Sequence, residues 1–119
     1  MSDPRMRRAA AALLLGLIVV LSLLPGEHVR ALFELPGVTD TRVHFLGYLL
    51  LAWVLALGWP AVALWRIWAF ATFCGLAIEL IQIVVPGRGF EWSDLAVNAA
   101  GALGGIALAK AFRRRLERE

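Results

Sequence analysis

The chain has 119 residues, of which 61% are hydrophobic and 18% are charged, with 11 glycines, one cysteine and a net charge of +3. Soluble domains are about half apolar and about a quarter charged, so this composition excludes an ordinary soluble domain, a disordered chain and a disulfide scaffold. Four membrane-spanning helices of about 20 residues would use about 80 residues. The composition therefore predicts a small polytopic membrane protein with little outside the bilayer.

Apolar runs interrupted by few charges predict four transmembrane helices in a single domain that covers residues 1–119. Their predicted bounds are about 8–24, 42–59, 63–85 and 93–112. Proline and glycine separate them, because proline lacks a backbone donor and clashes in helix interiors. Lipid cannot satisfy open backbone groups, so these spans should be helical. The fold class is therefore an all-α, four-transmembrane-helix bundle.

The first span permits a second interpretation. Arg5, Arg7 and Arg8 precede an apolar run, which is also typical of a signal peptide. No small-x-small cleavage site follows the run cleanly, and Pro25-Gly26 is typical of a helix end. We therefore favour a retained membrane helix.

Basic residues give the predicted orientation. Nine of the 12 Lys and Arg residues lie at the two termini and in the connection between the second and third spans. By the positive-inside rule both termini are expected in the cytoplasm. The basic tail from Lys110 is expected to continue the last helix into water. The basic excess is thus explained by topology, and we expect no nucleic-acid partner.

Polar residues in the spans lie on three helical stripes near one membrane surface. His44 and Tyr48 share a face of the second helix because they are four residues apart, as Asp94 and Asn98 do on the fourth. Ionisable residues in spans are costly and usually face the bundle interior or a wet cavity. We therefore predict a polar basin that opens outward. Its residues are Asp40, Arg42, His44, Tyr48, Glu79, Gln82, Arg88, Asp94 and Asn98.

Three kinds of chemistry fit this basin. His44 and Glu79 are the candidates for a general acid and base. Arg42 and Arg88 suit a phosphate or carboxylate. The same groups also fit polar glue between helices, which requires no ligand. We predict no metal and no cofactor, because no pair among His44, Glu79 and Asp94 has a recognised short ligand spacing.

A run of small residues is expected to allow close helix packing. Gly101 and Gly105 form a small-xxx-small pair on the fourth span. Such pairs let two membrane helices approach each other closely. A homo-oligomer formed through the Gly101/Gly105 face is one interpretation of this pattern.

Two stretches resemble the VanZ-like family, whose founding member is linked to teicoplanin resistance. Residues 40–48 resemble its Asp-Lys-x-x-His-x-x-x-Tyr motif, with Thr41 where the family tends to have lysine and Arg42 one place later. The second stretch is similar to Gly-x3-Glu-x2-Gln-x3-Pro-x-Arg-x5-Asp-x3-Asn-x2-Gly. It comprises Gly75, Glu79, Gln82, Pro86, Arg88, Asp94, Asn98 and Gly101.

The resemblance implies a multi-pass protein of the bacterial plasma (inner) membrane that acts on the cell envelope. Three functions remain open. The first is binding of an anionic envelope lipid or lipid-linked precursor, linked to envelope homeostasis or glycopeptide (teicoplanin) resistance. The second is a membrane enzyme that acts on a lipid head group, with His44 and Glu79 as acid and base. The third is a non-catalytic assembly factor.

Overall fold

The computed structural model describes residues 3–30, 34, 36–37 and 39–118, without the side chains at 28–29 and 116–118. All regular structure in these residues is helical. The helices are α1 (Pro4–Leu23), α2 (Gly26–Val29), α3 (Asp40–Gly58), α4 (Leu64–Gln82) and α5 (Trp92–Arg118). All but α2 are long and apolar enough to cross a membrane. The predicted all-α class with four spans is confirmed.

The helix bounds differ from the predicted ones where local capping decides them. α1 begins at Pro4, four residues earlier than predicted, because the Asp3 carboxylate accepts a hydrogen bond from the Arg5 backbone N–H at 2.9 Å. Its 20 residues extend about 30 Å, which matches the hydrocarbon core of a bilayer. The N-terminal turn therefore makes α1 long enough to cross the bilayer.

Two further differences of three residues or more lie around the α4–α5 connection and at the C-terminus. α4 ends at Gln82, three residues before the predicted end, and the backbone turns through residues 83–87. Gly87 adopts a φ of 75°, a left-handed conformation that glycine allows at little cost. α5 has 27 residues and extends to Arg118, so the basic tail continues the last helix as predicted.

Contacts between the helices define an up-and-down bundle. α3 and α5 run parallel, because His44 meets Asn98 near one end and Arg113 meets Ala56 near the other. α1 runs antiparallel to α3, since Arg8 near its start contacts Gly58. Both termini therefore lie at the same end of the bundle. The side of the membrane that this end faces stays a prediction.

Small residues hold α3 and α5 together. A methyl group at Gly101 would overlap the carbonyl of Phe45, and one at Gly105 would overlap the carbonyl of Leu49. Both glycines are buried between the two helices. The Gly101/Gly105 face is therefore covered by α3 within the chain, and formation of a homo-oligomer stays a prediction.

We call the end that carries both termini the basic end, defined by Arg7, Arg8 and Arg113. Three backbone carbonyls at the end of α3 accept hydrogen bonds from these guanidinium groups. Arg7 donates to Leu57 at 3.2 Å, Arg8 to Gly58 at 2.9 Å and Arg113 to Ala56 at 3.0 Å. The last carbonyls of a helix lack helical partners, so arginines of α1 and α5 cap α3.

Candidate functional site

His44 is the hub of the opposite end of the bundle, which we call the polar end and define by Asp40, His44 and Asp94. Its Nε2 lies 3.3 Å from Asp40 Oδ1 and 3.9 Å from Asp94 Oδ2. Asp40 and Asp94 occupy the first turns of the parallel helices α3 and α5. Helix N-termini favour negative charge, so both dipoles stabilise these carboxylates.

Asn98 fixes the His44 ring from the other side. The His44 Nδ1 and the Asn98 Oδ1 are 2.9 Å apart. Because the amide oxygen only accepts, Nδ1 carries the proton and donates it. Nε2 therefore faces the two carboxylates. Asn98 is itself buried, so its amide positions the imidazole within the helix interface.

Glu79 is the most deeply buried ionisable side chain described, with 1% of its surface exposed. Its Oε2 accepts a hydrogen bond from the Glu91 backbone N–H at 3.1 Å. Its Oε1 is also buried and has no hydrogen-bond partner within the described residues. An unpaired buried carboxylate oxygen is costly, because it loses its hydration without gaining a hydrogen bond.

The packing of α4 directs Glu79 toward the polar end. Gly75, one turn before Glu79, lies directly against the side chains of Tyr48 and Asn98. Residues four apart share a helix face, so Glu79 follows on the face that packs against α3 and α5. Glu79 also interacts electrostatically with His44 and Asp94.

Gln82 and Arg88 bind the end of α1 to the rest of the polar end. The amide of Gln82 donates to the Ser22 carbonyl at 2.8 Å. Arg88 donates from Nε to the Leu24 carbonyl at 3.0 Å and from Nη2 to the Leu21 carbonyl at 2.9 Å. These bonds satisfy carbonyls at the C-terminus of α1, which have no helical partners. Two of the three Arg88 nitrogens therefore have a structural role.

Two cavities meet at this end. The first, which we call the polar cavity, has a volume of about 520 Å³. It is lined by Gly26, Arg30, Asp40, Gln82, Gly87, Arg88, Gly89, Glu91 and Asp94. The second, which we call the apolar groove, has a volume of about 200 Å³ between α1 and α3 and is lined mainly by aliphatic side chains such as Leu14, Leu17 and Ile18. Asp40, Gln82 and Arg88 line both, so the two cavities are adjacent.

The structure brings together eight of the nine residues predicted for the basin. They are Asp40, His44, Tyr48, Glu79, Gln82, Arg88, Asp94 and Asn98. Arg42 is the exception: its side chain is exposed and donates to the Gly37 carbonyl at 2.9 Å. The arginine that lines the polar cavity instead is Arg30, just after α2.

Two features of the site are missing from the sequence prediction. Arg30 lies in a connection, where no periodicity shows which surface a residue joins. The second feature is the cluster of Asp40, His44 and Asp94. Part of it could have been found from the sequence, because Asp40 and His44 are four residues apart and share a helix face, whereas Asp94 joins them only in the fold. One ligand atom from each of these three residues lies within 4.8 Å of the others.

The predicted acid–base pair is not in direct contact within the described residues. The hydrogen bonds and ion pairs of His44 go to Asn98, Asp40 and Asp94, whereas Glu79 accepts from the Glu91 backbone. His44 and Glu79 therefore have different hydrogen-bond partners in the described residues.

Comparison with known sequences agrees with the polar pattern. The sequence profile of the VanZ/LLP1 family matches residues 11–113, which is most of the chain. The chain belongs to the VanZ/LLP1 family. Together with the four apolar helices, this membership indicates a multi-pass membrane protein. No curated protein and no solved structure matches the chain significantly.

The motif residues of this VanZ/LLP1 protein divide into two groups by what they contact. Gly75 and Gly101 permit close helix packing, and Pro86 offers its carbonyl to the Gly26 N–H at 3.0 Å. Gln82 and Arg88 bind the end of α1. The second group, Glu79, Asp94 and Asn98, surrounds or contacts His44 from α4 and α5. The two carboxylates of this second group form no ion pair with Lys or Arg within the described residues.

Proposed function

We propose that the protein binds an anionic envelope lipid or lipid-linked precursor at the polar end. The observation that carries this proposal is the junction of the polar cavity with the apolar groove at Asp40, Gln82 and Arg88. A lipid has the same two parts, a polar head group and a hydrocarbon chain. The head group would occupy the polar cavity and the chain would lie along the groove between α1 and α3.

Charge supports an anionic head group. Arg30 and Arg88 line the polar cavity, and guanidinium groups bind phosphate and carboxylate through paired hydrogen bonds. The Arg30 side chain is exposed and makes no hydrogen bond to the described residues, so its donors are available to a ligand. Asp40, Glu91 and Asp94 line the same cavity and would accept from hydroxyl or ammonium groups of a larger head group.

In the proposed setting, the polar end faces the outside of a bacterial inner membrane and both termini are cytoplasmic. The positive-inside rule supports this orientation, because the basic end carries most of the Lys and Arg residues. The protein would then affect envelope homeostasis or sensitivity to teicoplanin by holding a lipid-linked wall precursor. A non-catalytic assembly factor is less well supported, because no described feature indicates a protein partner, whereas the polar cavity and the apolar groove together match a lipid.

The experiment compares three arginine variants of the full chain in nanodiscs. Native mass spectrometry would measure retention of phosphatidylglycerol and of a polyprenyl phosphate. Phosphatidylcholine, which is zwitterionic and has no net charge, is the comparison lipid. Arg30→Gln and Arg88→Gln should each weaken binding about tenfold, since a hydrogen bond to a charged group contributes about 1.5–3 kcal/mol. Arg42→Gln is the matched control, because Arg42 is an exposed arginine near the same end that does not line the polar cavity.

Equal retention by all three variants would contradict the proposal. Competition by inorganic phosphate would show recognition of the phosphate alone, whereas retention that needs the intact lipid would indicate that the apolar groove contributes. The cellular test is teicoplanin sensitivity, which Arg30→Gln should change and Arg42→Gln should not.

A further inference from the structure

We propose that Asp40, His44 and Asp94 form a binding site for a divalent transition-metal cation such as Zn²⁺. One ligand atom from each residue lies within 4.8 Å of the other two. Ligands of a tetrahedral zinc ion are about 3.4 Å apart, given bonds of about 2.1 Å. The His44 Nε2 to Asp40 Oδ1 distance of 3.3 Å already fits. The Asp94 oxygen lies 3.9 Å from Nε2 and would have to move closer to complete the set.

The orientation of the imidazole suits a metal ligand. Nδ1 donates to Asn98 Oδ1, which leaves Nε2 to face the two carboxylates. Histidines that bind metals almost always donate their other ring N–H to an oxygen in this way. Mixed imidazole and carboxylate ligands are those that Zn²⁺ and Mn²⁺ accept, whereas Mg²⁺ and Ca²⁺ prefer oxygen alone.

Glu79 gives independent support for a cation here. Its Oε1 is buried without a hydrogen-bond partner in the described part of the chain, and the whole residue is 1% exposed. It interacts electrostatically with both His44 and Asp94, and the α4 face that carries it packs against Tyr48 and Asn98. A cation held by the three ligands would compensate this buried carboxylate, which otherwise has only the Glu91 N–H.

Nearby arginines form no direct ion pair with these carboxylates in the described part of the chain, although Arg88 interacts electrostatically with Asp94. Within the described residues, the only ion pairs of Asp40 and Asp94 are those with His44. Arg88 donates to the carbonyls of Leu21 and Leu24 instead. Asp40 and Asp94 therefore share one imidazole as their only ion-pair partner in the described residues, and together with Glu79 they carry more negative charge than a protonated imidazole balances.

The remaining coordination positions would be filled from the polar cavity, which Asp40 and Asp94 also line. Water or an anion in that cavity would complete the coordination. The cation site does not depend on lipid binding, because its three ligands all come from the chain.

The test is metal binding by the full chain, purified in detergent with a tag free of histidine and then stripped with a chelator. Titration with Zn²⁺ against a chromogenic chelator should show one bound ion per chain. His44→Gln and Asp94→Asn should each weaken this binding at least tenfold. Asp3→Asn is the control at the basic end, because it removes one carboxylate while asparagine still caps α1.

Wild-type protein that binds no stoichiometric Zn²⁺ would overturn the proposal, as would equal binding by Asp94→Asn and Asp3→Asn, which would indicate adventitious surface binding. If the site variants fail to fold, two measurements on the wild-type protein test the proposal instead. Zn²⁺ should then raise its unfolding temperature where Mg²⁺ does not. Bound Mn²⁺ should show coupling to an imidazole nitrogen in electron spin-echo spectra, and absence of that coupling would exclude His44 as a ligand.

Discussion

The two ends of the bundle use charged side chains in opposite ways. At the basic end, cations meet backbone carbonyls: Arg7, Arg8 and Arg113 donate to the last carbonyls of α3. At the polar end, anions meet a single imidazole: Asp40 and Asp94 pair only with His44 within the described residues. The basic end is therefore a set of helix caps, whereas the polar end combines one such cap, Arg88 on the end of α1, with carboxylates that form no ion pair with Lys or Arg in the described residues.

This difference explains how a chain with few charges separates stability from function. An arginine that caps a helix gains its energy from a neutral carbonyl and needs no counterion. Carboxylates at helix N-termini are likewise stabilised by the dipole, yet their oxygens stay available. Substitutions of the arginine caps at the basic end should therefore lower stability and spare ligand binding, whereas substitutions of Asp40, His44 or Asp94 should weaken ligand binding more than they lower stability.

The largest expected effect comes from the glycine that joins α3 to α5 between the two ends. In Gly101→Ala the added methyl group would overlap the Phe45 carbonyl, so the helices must separate. We expect destabilisation of about 3 kcal/mol, at the upper end for overpacking of a core. Because α3 and α5 carry both ends, Zn²⁺ and lipid binding should weaken as well. Unfolding of the detergent-solubilised protein in SDS would measure the stability change.

Gly16→Ala is the matched control for that prediction. Gly16 lies within α1, and a methyl group there would meet nothing within 4 Å. Alanine has a higher helix propensity than glycine by about 1 kcal/mol, so this variant should be as stable as the wild type or slightly more so. Equal destabilisation by the two substitutions would mean that the α3–α5 contact is not close.

Hydropathy and helical spacing were enough to predict the four spans and most of the polar end. Residues such as His44, Asp94 and Asn98 lie near the start of their helices, and their depth follows from the span bounds. Charge-free runs fix those bounds to within a few residues, because lipid excludes open backbone groups. The early start of α1 was missed, since the cap by Asp3 depends on a local hydrogen bond rather than on hydropathy.

The sequence could not predict where side chains in the connections lie or which helix packs against the small residues. Arg30 reaches the polar cavity and Arg42 does not, although both lie in or beside the same connection. The destination of a side chain there depends on tertiary folding. Similarly, small residues at Gly101 and Gly105 indicate a close helix partner, but only the fold shows that this partner is α3 of the same chain.

A smaller effect is expected at the basic end from Arg113→Ala. Pro60 has no backbone N–H, so it cannot donate to the Ala56 carbonyl, and Arg113 supplies the donor at 3.0 Å. Loss of this charge-assisted hydrogen bond should cost about 2 kcal/mol in unfolding free energy. Zn²⁺ and lipid binding should stay unchanged, because the site is at the opposite end.

The double variant with Pro60→Ala sharpens that prediction. Alanine at position 60 restores a backbone N–H that can donate to the Ala56 carbonyl. Arg113→Ala should therefore cost less stability in this background. A coupling energy of about 1 kcal/mol in the double-mutant cycle would support the capping role. Strict additivity would show that Arg113 acts through something other than the Ala56 carbonyl.

The smallest change in stability and the sharpest separation of the two ends should come from Glu79→Gln. Glutamine has the same shape, and its carbonyl oxygen can still accept from the Glu91 N–H. A neutral amide is cheaper to bury than a carboxylate, so the unfolding free energy should change by less than about 1 kcal/mol. Zn²⁺ affinity should nevertheless fall, because one negative charge beside His44 and Asp94 is lost. A variant that loses stability but keeps its Zn²⁺ affinity would instead place Glu79 among the structural contacts, like the arginines at the basic end.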